Sequence, residues 1–428
     1  MHTFSYQNGE LHCEGVNVKQ LAKQHGTPLY VYSAQSILSQ YRRLHQALEG
    51  LDHRICYAVK ANSNLAILSL LAKEGSGFDI VSGGELFRVE KAGGSTPRCT
   101  FAGVGKTEKE IEQALRTGIY AFNIESEAEL QAIQKVASRL NVKAPVALRI
   151  NPNVDADTHK YISTGKSENK FGIGIERMME AYEAAAQLSH IKIRGVQMHI
   201  GSQITKPAPF AAAVEKMIPF VQELKEKYQI EFFDIGGGIG IVYPEALESA
   251  QDDWWKEAGK DMITPESYAA AVVPLLKPLG LKILVEPGRF LVGNAGILVG
   301  KILYTKQTPH KKFLISDTGM NDLIRPALYE GHHQIVPLKE PASAEKEVLD
   351  LVGPVCESGD FFAQDREIAP MQEDDYFALM SAGAYGFTMA SNYNSRPLPC
   401  EILVQGNHAH IIRTRQTFDD LIQGEKTL

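Results

Sequence analysis

Short apolar runs rich in β-branched residues alternate with longer amphipathic stretches up to about residue 295. In the stretches between the runs, such as SNLAILSLLAKEG and TEKEIEQALRTG, apolar residues recur at spacings of three and four, as in helices buried on one face. This alternation predicts parallel βαβ units. The runs are RICYAV from Arg54, GFDIV from Gly77, RCTFAG from Arg98, YAFNIE from Tyr120, PVALRIN from Pro145, IRGVQMHIG from Ile193, EFFDIGGG from Glu231 and LKILVEPGR from Leu281.

Eight such units in about 250 residues match the requirement of a (β/α)8 barrel of the TIM type. A doubly wound sheet is the alternative. The eight runs show no visible reversal of strand order, which favours the barrel. We therefore predict an α/β fold with the barrel over residues 34–294.

After about residue 295 the pattern changes to closely spaced strands separated by turn signals. It predicts a C-terminal antiparallel β domain, a barrel or sandwich, over residues 295–428. The N-terminal residues 1–33 also have β character and are expected to pack with this domain. The polar, proline-containing tract HHQIVPLKEPASAEKE from His332 indicates an exposed loop. The strand runs are GILVGKILYTK, KKFLISDTG, EVLDLVGPV, DYFALMSAG and CEILVQGNHAHIIRTR.

A long, polar, glycine-containing segment, residues 152–172, follows the run PVALRIN. Long loops in compact domains are usually functional or disordered. In a barrel this one leaves the C-terminal face, where active sites lie. We interpret it as a mobile lid, with an inert insertion as the alternative.

Composition narrows the class of protein. Of 428 residues, 44% are hydrophobic and 22% charged, and the net charge is −7. The mild acidity argues against nucleic acid or an anionic membrane as a partner. No apolar run approaches the roughly 20 residues of a membrane-spanning helix, and the polar start lacks a signal core. The five cysteines lack zinc or redox spacing, so we expect reduced thiols and a cytoplasmic location.

Candidate chemistry lies where the predicted strands end. Lys60 follows RICYAV directly, which places its amine at the mouth of a barrel. Burial there would lower its pKa and make it a nucleophile toward aldehydes. The alternative is a surface lysine at the start of a loop.

Gly236, Gly237 and Gly238 end the run EFFDI, and Gly240 follows them. Their bare backbone amides can bind a phosphate. The spacing is not the dinucleotide-binding fingerprint. A tight turn is the alternative.

Two further strand ends carry polar side chains. In VEPGR, Glu286 can keep a pyridine nitrogen protonated and Arg289 suits a carboxylate or phosphate, although the two could instead form a structural ion pair. In MHIGSQ, His199 can stack on an aromatic cofactor and Ser202 can bind phosphate.

The sequence GPVCESGD in the predicted β domain contains Cys356 and Glu357. A thiol with a tuned pKa can donate a proton to a carbanion, whereas a lone cysteine is more often a small buried hydrophobe. We predict no metal site, because His199 has no second ligand at a fixed spacing, and neither the pair His332–His333 nor the pair His408–His410 lies near a carboxylate or thiol pattern.

Taken together, these motifs resemble the pyridoxal 5′-phosphate (PLP)-dependent decarboxylases built on an alanine-racemase-like barrel, fold type III. The resemblance runs nearly end to end and is strongest to members that decarboxylate meso-2,6-diaminopimelate to L-lysine. The matching segments, in order, are PLYVYS, YAVKAN, FDIVSGGEL, the loop ending in NKFG, MHIGSQ, DIGGGIG, EPGR, RPALYEGHH, GPVCESGD and GAYGF.

The resemblance implies a residue for each part of the reaction. Lys60 would carry the PLP aldehyde as an imine, and Glu286 would pair with the pyridine nitrogen. His199 would stack on the ring, and Cys356 would donate a proton after loss of carbon dioxide. The other cofactor contacts would fall to Ser202, Gly236, Gly237, Gly238, Gly288, Arg289 and Tyr385.

The resemblance also assigns the amino-acid substrate. Arg289, Arg325 and Tyr329 would hold the carboxylate at its non-reacting end, Glu357 the distal amine, and Tyr385 would touch both substrate and cofactor. In this family Cys356 and Glu357 enter the site from the partner subunit, which implies a homodimer with shared active sites.

Other functions remain open from the sequence. A related decarboxylase would act on ornithine, lysine or carboxynorspermidine. Ornithine would leave a buried arginine unpaired, which costs a few kcal/mol. An alanine-racemase-type enzyme would need a second base facing Lys60, whereas the thiol of GPVCESGD suits one-sided protonation. A non-catalytic PLP carrier is usually a barrel alone.

Overall fold

The computed structural model describes residues 2–154, 170–250 and 262–428. Positions 155–169 of the predicted lid lie outside the described residues. The described chain forms two compact units. One comprises residues 40–154, 170–241 and 262–290, and the other residues 2–39, 242–250 and 291–428.

The first unit is a closed barrel of eight parallel strands, as the hydrophobic pattern predicts. Each strand pairs in parallel with its neighbours, and β8 pairs with β1 to close the ring. The prediction of a TIM-type barrel is thereby confirmed. The strands are β1 His53–Ala58, β2 Gly77–Ile80, β3 Cys99–Phe101, β4 Ala121–Ile124, β5 Ala144–Asn151, β6 Ile191–Met198, β7 Phe232–Asp234 and β8 Lys282–Val285.

Amphipathic helices connect the strands, and short polar side chains begin them. Ser82 and Ser126 each accept a hydrogen bond from the first turn of a helix, and Thr107 forms a capping box with Glu110, which satisfies backbone donors that would otherwise lack partners. Ala34–Ala47 precedes β1 in the chain and Arg289–Val292 follows β8. The helices between strands are Leu65–Lys73, Gly83–Lys91, Glu108–Thr117, Glu127–Leu140, Met178–Ala186, Ala208–Tyr228 and Pro265–Leu276.

The second unit is rich in antiparallel strands, which confirms the predicted β domain and its N-terminal strand. Leu29–Ser33 pairs with Gly296–Gln307 on one side and with Cys400–Gln405 on the other. Two of the pairings are parallel, namely Leu29–Ser33 with Cys400–Gln405 and Lys312–Ser316 with Glu347–Val352. Further strands are Phe4–Gln7, Glu10–Cys13, Val16–Asn17, Ile335–Pro337, Phe361–Ile368, Tyr376–Leu379 and His408–Arg413; the helices are Val18–His25, Arg325–Tyr329 and Phe418–Leu421.

The prediction of an exposed loop from His332 is partly wrong. Ile335–Pro337 forms a strand against Tyr376–Leu379, and Ile335, Val336 and Leu338 are buried. A three-residue strand within a polar tract is too short to produce a recognisable periodicity. In the described part of the chain, no helix is long and apolar enough to cross a membrane.

Candidate active site

Buried polar side chains lie near the carboxyl ends of the barrel strands. The parallel register places Gln197 beside both Arg149 and Asp234, and Asp79 beside Thr100. Polar groups in a barrel interior are unfavourable unless they bond to one another or to a ligand. The set is Asp79, Thr100, Asn123, Arg149, Gln197, Asp234 and Glu286, and each is at most 7% exposed.

Glu286, directly after β8, is held by donors from three strands. Thr100 Oγ1 and Asn123 Nδ2 donate to Oε1 at 3.3 and 3.2 Å, and Gln197 Nε2 donates to Oε2 at 3.2 Å. These bonds fix the carboxyl group across the barrel. Its position is therefore set by the barrel wall and not by the loop that carries it.

The acids around Glu286 disfavour its ionisation. Burial, followed by the charges of Asp234 and Asp79, raises the pKa of Glu286 well above its usual value. Burial likewise raises the pKa of Asp234 to about 6, although Gly236 N–H donates to its Oδ1 at 2.9 Å. A cation placed here would be strongly stabilised by both carboxylates.

Lys60 lies on the turn Val59–Ala61 that ends β1, and its ammonium forms an ion pair with Asp79. Its side chain is 39% exposed, so the amine is reachable, while Asp79 is 1% exposed. Lys60 is therefore held by a charge partner and is less buried than the sequence analysis expected. Burial raises the pKa of the nearby Glu85 to about 7, although the positive charge of Lys60 acts to lower that pKa.

Gly236, Gly237 and Gly238 pass close to two other strand ends. A Cβ at Gly237 would collide with the carbonyl oxygen of Glu286, and one at Gly238 with that of Gly201. Gly236 and Gly238 also have φ of +72° and +105°, which favour glycine. Only glycine fits this turn, and the lack of side chains lets a ligand such as a phosphate approach the backbone closely.

His199 and Ser202 lie beside that turn. Gly237 N–H donates to His199 Nδ1 at 3.2 Å, and burial lowers the pKa of His199 well below its usual value, so the ring is neutral. Arg289 NH2 donates to Ser202 Oγ at 3.2 Å. This bond directs Arg289 towards the glycine-rich side of the barrel end.

Gly288 lies where the loop that carries Glu286 packs against the turn that carries Lys60. A Cβ there would lie 3.1 Å from Ala58 Cβ and 3.0 Å from Ala61 Cβ, and Ala58 N–H donates to Pro287 O at 3.2 Å. The barrel therefore brings Lys60 and Glu286 together with most of the other predicted cofactor-site residues, namely His199, Ser202, Gly236, Gly237, Gly238, Gly288 and Arg289.

The second unit carries the remaining predicted residues. Arg325 and Tyr329 lie at the two ends of the helix Arg325–Tyr329, and Arg325 is buried. Tyr385 is half-buried with φ of 55°. Cys356 and Glu357 are exposed. Cys356 is therefore not the buried hydrophobe that its type suggested.

The turn of GPVCESGD is shaped by Asp360. Its carboxylate accepts from Val355 N–H and from Met320 N–H, both at 2.6 Å, and Cys356 N–H donates to Asn394 Oδ1 at 3.1 Å. These bonds hold the backbone of the turn, on which the side chains of Cys356 and Glu357 are exposed. Among the described residues, no group of three or more histidine, cysteine or acidic side chains is placed to hold a metal ion.

The sequence analysis missed the groups that support Glu286 and Lys60. Asp79, Thr100, Asn123, Gln197 and Asp234 were read only as parts of apolar runs. Their signal was nevertheless present, since GFDI, CTF, AFNI, GVQM and FFDI each contain a single polar residue near the strand end. In a barrel strand, such a residue faces its counterparts from the other strands.

Comparison with known proteins places this geometry in a family. Residues 34–293 match the model of the pyridoxal-dependent decarboxylase, pyridoxal binding domain. The diaminopimelate decarboxylase of Pseudomonas aeruginosa is 47% identical over 100% of both chains, and that of Aquifex aeolicus is 45% identical over 98% of this chain and 96% of its own.

Solved structures agree over the whole length. A diaminopimelate decarboxylase from M. jannaschii has a TM-score of 0.91 at 39% identity, and the match covers 100% of this chain and 98% of that one. One from Helicobacter pylori, complexed with L-lysine, has a TM-score of 0.88 at 40% identity and covers 95% and 98%.

Proposed function

The chain belongs to the pyridoxal-dependent decarboxylases, among the diaminopimelate decarboxylases, and from this premise we propose how its residues share the reaction. The reaction is the decarboxylation of meso-2,6-diaminopimelate to L-lysine and carbon dioxide, with PLP as cofactor. The observation that carries the residue assignment is the meeting of Lys60, Glu286 and the glycine turn at one end of the barrel.

The barrel residues fit PLP group by group. The glycine turn Gly236–Gly238, with Ser202 and Arg289, suits its phosphate, and the neutral ring of His199 suits stacking on the pyridine. Bound PLP supplies an aldehyde that condenses with amines and a protonated ring that accepts the electron pair left by carbon dioxide. Lys60 is the amine that holds the aldehyde, and Glu286 keeps the ring nitrogen protonated.

The second unit supplies the substrate contacts in this proposal. Arg325 and Tyr329, with Arg289, bind the carboxylate that is retained in the product, while Glu357 binds the amine on the same carbon. Tyr385 contacts substrate and cofactor. A substrate with both groups at its far end can contact all of these residues, whereas ornithine has no carboxylate at its far end for the guanidinium groups to bind.

The direct test uses the visible spectrum of the purified protein. We expect PLP to give a visible band that changes when meso-diaminopimelate is added, with one carbon dioxide released per L-lysine formed. A protein that stays colourless with PLP would contradict the proposal. Equal turnover of ornithine would exclude the substrate assignment.

Arg325→Ala is expected to raise KM for meso-diaminopimelate about 10- to 100-fold, since a charged hydrogen bond contributes about 1.5–3 kcal/mol. D-lysine, which has the same reacting end but lacks the distal carboxylate, is the matched control. Its kcat/KM should change little in the variant. A similar loss of kcat/KM for both substrates would mean that Arg325 does not bind the distal carboxylate.

We also propose a homodimer in which Cys356 and Glu357 of one subunit complete the site of the other. The exposure of both side chains on a braced turn supports this. Sedimentation analysis should give twice the mass of 47.2 kDa.

We also propose a cytoplasmic location. The five cysteines are all free thiols, which is typical of proteins in a reducing compartment.

Cys356→Ala is expected to lower kcat about 100-fold or more, because a positioned proton donor contributes 10²- to 10⁴-fold, while the visible band of bound PLP remains. Mixing Cys356→Ala with Lys60→Ala under conditions of subunit exchange should restore up to about a quarter of the activity, since hybrid dimers contain one intact site. Full activity of Cys356→Ala would end its role as donor. Absence of complementation would contradict the shared site.

A further inference from the structure

Beside the proposed carboxylate-binding arginine lies a buried histidine with no role in the reaction as described above. His333 is 0% exposed and Arg325 is 7% exposed. Arg325 NH1 approaches His333 Nε2 to 2.7 Å, and His333 Nδ1 approaches the carbonyl oxygen of Met380 to 2.8 Å. The pair belongs to one unit of the chain.

The two contacts fix the protonation of the ring. A carbonyl oxygen only accepts, so Nδ1 must carry the hydrogen, and a guanidinium only donates, so Nε2 must carry the lone pair. His333 is therefore a neutral imidazole in a single tautomer. A doubly protonated ring would turn an N–H against the guanidinium.

The backbone directly after His333 is held in the sheet. Met380 N–H donates to Gln334 O at 2.9 Å, which extends the pairing of Ile335–Pro337 with Tyr376–Leu379. The acceptor of the Nδ1 hydrogen and the backbone that carries the ring thus belong to neighbouring strands. The ring inherits its position from the sheet.

The chain between the two residues brings them together. The helix Arg325–Tyr329 ends in Glu330 with φ of 52°, and Gly331 N–H then donates back to Arg325 O at 3.2 Å. A Cβ at Gly331 would lie 3.4 Å from Arg325 Cζ. Glycine at this position therefore leaves room for the guanidinium beside the returning chain.

An aromatic ring completes the enclosure. Arg325 Cζ lies 4.3 Å from the ring centroid of Tyr243, and the rings of Tyr243 and His333 meet edge to face, with centroids 5.3 Å apart. Tyr243 is 6% exposed. A guanidinium held by a hydrogen bond in its plane and an aromatic ring on its face has little freedom left.

We infer that His333 is a positioning residue that fixes the guanidinium of Arg325 for the carboxylate retained in the product, and thereby sets selectivity for substrates that carry it. This rests on the proposed carboxylate role of Arg325. A side chain ordered before binding loses less conformational entropy when the ligand arrives. His333 thus acts on binding, through Arg325, and not on the bond that breaks.

The test compares two ligands that differ in one group. L-lysine has the retained carboxylate, and 1,5-diaminopentane is the same molecule without it. In the PLP-loaded enzyme, His333→Phe keeps an aromatic ring against Tyr243 but removes both nitrogens. We expect the dissociation constant of L-lysine and the KM of meso-diaminopimelate to rise about tenfold, with the dissociation constant of 1,5-diaminopentane unchanged.

Three variants complete the design. His333→Gln, whose amide offers one donor and one acceptor, should recover most of the L-lysine affinity, and His332→Phe, its exposed neighbour, should have no effect. In an Arg325→Ala background, His333→Phe should weaken L-lysine binding no further.

The outcomes separate the inference from the proposed function. Weakening of both ligands by His333→Phe to the same extent would indicate general damage and overturn the inference. So would unchanged L-lysine affinity in His333→Phe when Arg325→Ala loses it. If Arg325→Ala itself leaves L-lysine binding intact, the proposed carboxylate role fails and the inference falls with it.

Discussion

Lys60→Ala is expected to lower kcat for meso-diaminopimelate by more than about 10⁴-fold and to abolish the visible absorbance that PLP gives with the wild-type protein. Lys60 also forms an ion pair with Asp79, the buried carboxylate at the mouth of the barrel. The substitution removes the nucleophile and leaves Asp79 uncompensated. Absorbance spectra and single-turnover assays with added PLP would measure both effects.

A matched control separates the chemistry from the charge. Lys192→Ala removes an exposed lysine from β6 whose partner, Glu231, also binds Arg194, and it should leave spectrum and turnover unchanged. Lys60→Arg keeps the ion pair with Asp79 but cannot condense with an aldehyde at neutral pH. If Lys60→Arg retained the wild-type spectrum, another residue would have to hold the aldehyde.

Strand ends could be located from the sequence because parallel strands of a barrel leave strong local signals. Lys60, the glycines at 236–238 and Glu286 each follow an apolar run directly, and a barrel collects such positions on one face. The order of motifs was therefore enough to predict most of the proposed cofactor site. The prediction needed only the strand period and the closure of the ring.

Contacts between distant strands could not be predicted from the sequence in this way. The three donors to Glu286 come from β3, β4 and β6, and the sequence does not encode which polar residues meet across a barrel. The burial of Lys60 was overestimated for a similar reason, since its ion pair with Asp79 depends on the neighbouring strand. The position of His333 was likewise invisible, because it depends on a strand of three residues.

Glu286→Gln is expected to lower kcat about 10³-fold, because the neutral amide cannot keep a ring nitrogen protonated; preorganised electrostatic groups of this kind contribute about 10²- to 10³-fold each. The substitution should still fit. Asn123 Oδ1 and Gln197 Oε1 are buried acceptors with no hydrogen-bond partner in the described structure, so either amide can turn to accept from the new NH₂ group.

The same substitution is expected to stabilise the cofactor-free protein at pH 8 by about 1–3 kcal/mol, since the amide is neutral at every pH and needs neither a buried charge nor a proton taken up on folding. Burial and the neighbouring acids raise the pKa of Glu286 above its ordinary value of 4.5. The folded state then binds more protons than the unfolded chain, so the free energy of unfolding falls as pH rises above about 4.5. The variant lacks this loss, and at pH 4 the two proteins should differ little.

Urea unfolding of the PLP-free proteins between pH 4 and 8 would measure the effect. Glu125→Gln is the matched control, because Glu125 is also buried in the barrel but accepts from Arg149 at 2.8 Å. Its removal leaves a buried guanidinium without its partner and should destabilise the protein at pH 8. If Glu286→Gln shows the same pH dependence as the wild-type protein, the fold does not raise the pKa of Glu286. Opposite signs for the two variants would show that the barrel loses stability by burying the carboxyl group of Glu286 among other acids, as a residue kept for a binding role would do.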